Sequence, residues 1–340
     1  MPLADITTFF DAIGKFFASF GDIRFGSLFI GLVCFGIYLT VRSRAYFNVL
    51  RAAYPAERIQ WRRIWGAYVA AYGFNNIIPA RGGDVIKLFL TKNSVSNSSY
   101  PAIAASFFVE LGWDLAWGTV ILIFAFTQGV FPKPPDFAKL KAFDLSFFAG
   151  NPRFTLFLLT LAALIVLAIF AVLGNKVRAF WPHIRQGVVI LHDRPRYFRQ
   201  VFAVQGAAFC FRFAAFWFLL DAFNIGGSFK NVLLVLGVNA VAAAVPFTPG
   251  GAGVQQAFLV KVFAGTATVG TVASYSVGQQ IAIAAFSLAL GFAAIVGIFR
   301  FRSFKEVIQA GRADRQAASA ADDREKGAAT ASPPGPRARA

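Results

Sequence analysis

Charge is what this chain has least of: only 14% of its 340 residues are Asp, Glu, Lys or Arg, where a soluble domain carries about 25%. That deficit excludes an ordinary water-soluble fold. Cysteine is nearly absent too. Cys34 and Cys210 both lie in apolar sequence and stand far apart along the chain, so neither a disulfide framework nor a thiolate metal site is expected. The two histidines, His183 and His192, share one basic stretch without Cys or carboxylate companions and read as solvated. A Walker-type Gly-x4-Gly-Lys-Ser/Thr, a Cys/His metal spacing and a Ser or Cys nucleophile near a His are all missing. ATP-driven transport by this chain alone is thereby excluded, and no enzymatic activity, cofactor or metal is expected.

What the chain does have is apolar bulk. Hydrophobic residues make up 57% of it and the mean hydropathy is +0.60, which together indicate an all-α, polytopic transmembrane helix bundle. The 41 Phe and 6 Trp residues are expected to face lipid, pack helices and mark the interfaces. A net charge of +17 is compatible with nucleic acid, but the basic residues sit in loops between apolar runs, as at a cytoplasmic membrane face. Membrane lipids are therefore the expected partners, and nucleic acid is not.

Residues 3 to 20 are apolar at helical spacing but interrupted by Asp5, Asp11 and Lys15, so residues 1–24 read as an interfacial helix. No cleavage-site pattern follows, and a removable signal peptide is not expected. A crossing takes about 20 apolar residues, with roughly 17 as the lower limit. Residues 25 to 41 are a short first span, followed by apolar pieces at about 64–79, 101–128, 154–173, 201–223, 231–246, 252–265 and 270–299. Basic residues gather at Arg42 to Arg63, at Lys176 to Arg199, and from Arg300 onward. The positive-inside rule places all three in the cytoplasm of a cell whose inner membrane holds the chain, with the N-terminus outside and the tail inside. Residues 25–302 form the membrane domain. Residues 303–340 are a cytoplasmic tail, too poor in apolar bulk to fold beyond about residue 311.

Two places interrupt the apolar sequence with Pro and Gly. One is Asn76-Ile-Ile-Pro79-Ala-Arg81-Gly82-Gly83-Asp84-Val-Ile-Lys87; the other is Val245-Pro246-Phe-Thr-Pro249-Gly250-Gly251-Ala-Gly253-Val254. Irregular backbone is tolerated at membrane depth only where protein or water surrounds it. The short pieces at 64–79 and 252–265 abut these motifs and read as broken or re-entrant helices. Their matching placement in the two halves suggests a repeat-built transporter, an inverted repeat with its site between the halves.

Charge accompanies the first break. Asp84 and Lys87 are three apart, Glu110 and Asp114 four apart, so each pair shares a helix face. An ionised group at the bilayer centre costs about 2.5 to 3.5 kcal/mol, so function or ion pairing has to justify them. Asp84 is placed to cap the following helix, whose free amides, with the fork of Arg81, suit a phosphodiester. Glu110 and Asp114 are candidates to pair with Arg81 or Lys87, or to carry protons. Arg212, Asp221 and Lys261 read as snorkelling near segment ends. Asn239 with Gln255, Gln256, Gln279 and Gln280 either lines a polar groove or hydrogen-bonds helix to helix.

These motifs resemble the lysylphosphatidylglycerol synthase transmembrane region, a family of flippase-like integral membrane proteins with hopanoid-associated and glycosyltransferase-associated members. The resemblance covers roughly residues 25 to 300. It rests on Asn76-x-x-Pro79-x-Arg81-Gly82-Gly83-Asp84, Glu110-x-x-x-Asp114 and Pro246-x-x-Pro249-Gly250-Gly251-x-Gly253-Val254. There are departures: Leu111 stands where members usually have Arg after the Glu, Gln256 replaces a Glu, and Gln279 or Gln280 replaces a late-helix Arg. If that Glu and Arg normally pair, losing both removes a buried ion pair at less cost than losing one. In bifunctional members a soluble aminoacyl-transferase domain follows, whereas here only a tail follows Arg302, so this chain is not expected to make lysyl lipid.

The resemblance implies movement of an amphipathic lipid between leaflets: an anionic phospholipid, a polyprenyl-phosphate-linked lipid or a hopanoid. The headgroup path would include Arg81, Asp84, Lys87, Glu110, Asp114 and the two Gly-rich breaks. The alternative is a non-transporting accessory subunit of a lipid-modifying enzyme or glycosyltransferase.

Overall fold

The computed structural model describes residues 23–76, 78, 82–128, 181–243, 254–263 and 265–301, with a few single positions between 309 and 316. Among the described residues the regular elements are all helices, and four of them are long and apolar enough to cross a membrane. These are α1 (Phe25–Ala53), α4 (Tyr100–Thr127), α5 (Arg194–Ala222) and α8 (Val269–Phe299). Between them lie shorter helices: α2 (Trp61–Asn75), α3 (Gly83–Lys92), α6 (Phe229–Ala243) and α7 (Val254–Val262). The chain is thus a polytopic membrane protein built as a helix bundle. The expected helix within 1–24, the span at 154–173 and the tail beyond 316 lie outside the described residues.

One correction concerns the first basic cluster. The apolar run stops at residue 41, but α1 continues to Ala53, 29 residues in all, carrying Arg42, Arg44 and Arg51 on the helix rather than in a loop. Long aliphatic stems keep Arg a good helix former, and hydropathy falls where helicity does not. Arg62 and Arg63 likewise belong to α2. At residues 194–202 the same happens in mirror order: Arg194, Arg196 and Arg199 open α5, which passes through a π-turn at Phe198–Phe202 before the apolar stretch.

The helices α1 and α5 run antiparallel as the central pair. The Arg24 amide donates to the Ala222 carbonyl at 2.9 Å, Gly31 lies against Ala215 and Leu219, and Asn48 Nδ2 donates to the Gln200 carbonyl at 2.8 Å. A second antiparallel contact joins α2 to α8. It is made by small residues: Gly66, Ala70 and Gly73 on one helix face Ala294, Gly291 and Ser287 on the other. Both trios recur at i, i+4, i+7, one stripe of each helix, and small side chains let the backbones approach, the standard means of helix association in lipid. The core between these pairs holds Leu39, Tyr46, Leu50, Ile64, Leu219, Val235 and Tyr275. Outward faces are apolar, with Phe25, Phe29, Phe108, Leu115 and Ile281 all more than half exposed, as expected of surfaces that meet acyl chains.

Candidate functional site

The loop between α2 and α3 brings its own residues together. Asn75, the last residue of α2, accepts the Gly83 amide at 2.8 Å through Oδ1 and donates through Nδ2 to Asp84 Oδ1 at 3.2 Å. The cap of α3 is therefore Asn75, reaching across the break, and Asp84 is oriented by the same amide instead of capping the helix itself. Gly82 occupies the N-cap position without a side-chain hydrogen bond. Gly83 has to be glycine on packing grounds, since a Cβ there would overlap the Ala71 carbonyl and the Asn75 side chain. Asn76 closes α2, its Nδ2 donating to the Tyr72 carbonyl at 2.9 Å. Pro79 and Arg81 lie outside the described residues, as do Pro249, Gly250, Gly251 and Gly253.

One turn into α3, Lys87 points inward. Its Nζ stands 2.5 Å from Glu110 Oε2 on α4, with side chains only 8% and 7% exposed. Three rings close around the ammonium: Tyr46 of α1 at 3.9 Å, Phe107 of α4 at 4.4 Å and Tyr68 of α2 at 4.5 Å to their centroids. Aromatic faces present negative potential to a cation, and the interaction gains when water is excluded. The snorkelling alternative for Lys87 is thus set aside: it is buried and held by four helices. Glu110 Oε1 is buried without a hydrogen-bond partner among the described residues.

Asp114, one turn along α4, pairs with Arg42 of α1 rather than with Lys87. Arg42 Nη1 also donates to Tyr38 Oη at 3.0 Å. Arg212 of α5 stands near the same side chain, its guanidinium 5.8 Å from the Tyr38 ring and 6.0 Å from Phe216. Arg212 sits well inside α5, not near its end, and turns into the bundle. Asp221, in the last turn of α5, accepts the Gly227 amide at 2.7 Å. The charged groups thus form a ladder across α3, α4, α1 and α5. The sequence does not single out Arg42, which follows the end of an apolar run, or Arg212, which reads as snorkelling; the usable signal is Tyr38 and Arg42 four apart, which places phenol and guanidinium on one face.

The second half carries neutral pairs. Gln256 Nε2 of α7 donates to Gln280 Oε1 of α8 at 2.7 Å, so of the two late-helix candidates Gln280 is the partner. Gln255 Nε2 donates to Asn239 Oδ1 of α6 at 2.8 Å. These amides bond helix to helix. Lys87–Glu110 joins a short helix to the long helix after it, and Gln256–Gln280 does the same between α7 and α8: the site has an ionised half and an amide half.

A family model for the lysylphosphatidylglycerol synthase TM region matches residues 9–291. No curated protein and no solved structure matches the chain.

Proposed function

Because the chain belongs to the lysylphosphatidylglycerol synthase transmembrane-region family, we propose that it moves an amphipathic lipid between leaflets, with the headgroup passing the ladder of Lys87, Glu110, Arg42 and Asp114. The observation that carries this reading is the concentration of four charged side chains from three helices beside a helix break, in a chain of which only 14% is charged. Arg81, three residues before Asp84 in the break, would add a guanidinium to that path. The substrate class in this reading is an anionic phospholipid, a polyprenyl-phosphate-linked lipid or a hopanoid, and the membrane is the inner membrane of the cell with the tail cytoplasmic.

The reading includes a repeat. Helices α1 to α4 have 29, 15, 10 and 28 residues, and α5 to α8 have 29, 15, 9 and 31. Each half is a long helix, two short helices around a Pro-Gly break and a second long helix. The antiparallel course of α1 against α5 supports an inverted relation between the halves.

The test is leaflet exchange of labelled phosphatidylglycerol, polyprenyl phosphate and hopanoid probes in proteoliposomes, comparing the unaltered chain with Arg81→Ala and Glu110→Ala. Exchange that falls in folded variants is the expected result. No exchange of any probe would favour the accessory-subunit reading, which one observation supports: the Lys87 and Glu110 side chains are only 8% and 7% exposed, as those of a structural pair would be.

A further inference from the structure

The arginine-rich end of the central helix pair holds a cleft of about 340 Å³, the scale at which small-molecule sites begin. One wall is α1, where Arg44, Asn48 and Arg51 follow one stripe at i, i+4, i+7. The other is the start of α5, where Arg196, Arg199 and Gln200 line the same cleft. Four guanidiniums therefore face one space, and its lining includes no carboxylate. None of the four pairs with an acid among the described residues. Guanidinium does not give up its proton in a protein, so the four repel one another until an anion arrives.

The walls are held ready for that anion. Asn48 Nδ2 donates to the Gln200 carbonyl at 2.8 Å, within the π-turn Phe198–Phe202. Behind it Ala45, Val49, Val201 and Ile190 pack as a closed apolar cluster. Arg44 lies over the Phe47 and Trp61 rings at 4.8 and 5.7 Å, and Arg51 over Phe47 at 5.8 Å. Stacking occupies the guanidinium faces and leaves the N–H edges, which match phosphate oxygens two at a time. Arg196 Nε is fixed to Gln200 Oε1 at 3.2 Å, leaving its terminal nitrogens to donate. π-turns of this kind interrupt helices mostly at functional sites.

The place of the cleft identifies the carrier of the phosphate. Its walls are the arginine-rich ends of α1 and α5, two helices long and apolar enough to cross a membrane, and Phe198 and Phe202 of the same π-turn are 56% and 40% exposed. A cationic cleft at the end of two membrane-crossing helices lies where lipid headgroups are, and so suits a phosphate carried on acyl chains rather than a freely soluble anion. We propose that this cleft is a binding site for a lipid whose headgroup bears a phosphomonoester or diphosphate, more charge than a phosphodiester supplies. It lies apart from the Lys87–Glu110 ladder and is tested by binding, independently of whether any lipid is translocated.

The purified full chain in mild detergent is titrated with dihexanoyl phosphatidic acid, dihexanoyl phosphatidylglycerol and inorganic diphosphate, with binding read by thermophoresis. Phosphatidic acid is expected to bind more tightly than either of the others. The Arg44→Gln/Arg196→Gln variant, at an unchanged thermal midpoint, should weaken it by at least about tenfold, the loss of charge-assisted hydrogen bonds. Arg62→Gln/Arg63→Gln removes equal charge from a neighbouring basic cleft and should leave the affinity within about twofold, as diffuse surface charge does. Equal losses in the two variants would overturn the proposal in favour of bulk attraction. Phosphatidylglycerol binding as tightly as phosphatidic acid would overturn the headgroup assignment, and diphosphate binding as tightly would overturn the lipid.

Discussion

Lys87 and Glu110 are each other's charge partner in a buried setting, so each becomes a hazard to the fold without the other. Removing one member of a buried pair leaves an uncompensated charge and costs about 3 to 5 kcal/mol, whereas replacing both by apolar groups of similar volume is often neutral or better. Lys87→Met and Glu110→Leu should each lower stability by an amount of that order, and the double variant should recover most of it. A double-mutant cycle of detergent unfolding midpoints checks this; additive losses would mean that the two side chains act separately. The pairing of Lys87 was legible from sequence because a Lys and a Glu in apolar surroundings have few places to go. The partner of Asp114 was not, since Arg42 follows the end of a hydropathic run. The cage was equally hidden: Tyr46 and Tyr68 are ordinary aromatics until the fold brings three helices around one ammonium.

At the scale of elements, the contact of α2 with α8 depends on what is missing from both helices. A Cβ on Gly73 would stand 2.6 Å from the Ser287 carbonyl oxygen, a backbone atom that cannot step aside. At Gly66 the nearest atoms are the tips of the Ile298 and Phe299 side chains, at 2.9 and 3.0 Å, and these can turn away. Gly73→Ala should therefore destabilise by about 1 to 3 kcal/mol through overpacking, and Gly66→Ala by clearly less, as read from thermal unfolding in detergent. Helix existence was plain from the apolar runs, but boundaries failed wherever Arg extended a helix past its apolar part. The Asn75 cap was unreadable for a similar reason: a residue at the end of one helix serves the start of the next, and the local pattern offered the adjacent Asp84 instead.

For the whole molecule, the antiparallel pair makes a statement about sidedness. Glu57 follows α1 and Asp193 precedes α5, so both belong to the arginine-rich end, while Asn224 follows α5 at the opposite end. In a background with Cys34 and Cys210 replaced, Glu57→Cys and Asp193→Cys should react with an impermeant maleimide from the same side of the membrane. Asn224→Cys should react from the other. Labelling of all three from one side would break the assignment of α1 and α5 as crossings in opposite directions. The clustering of arginine at one end was visible in sequence, because the order of charges along the chain is all that the positive-inside rule uses.

The bonds that tie α1 to α5 lie near the two extremes of their shared length. Arg24 to Ala222 closes one end and Asn48 to Gln200 the other, some 24 residues or about 36 Å apart at helical rise. A lengthwise slip of one helix along the other by a single turn, about 5.4 Å, would break both at once and drive Gly31 off the Leu219 side chain it accommodates. The two ties and the Gly31 contact thus act as stops at separate points along the pair, and together they hold α1 and α5 in a single lengthwise register.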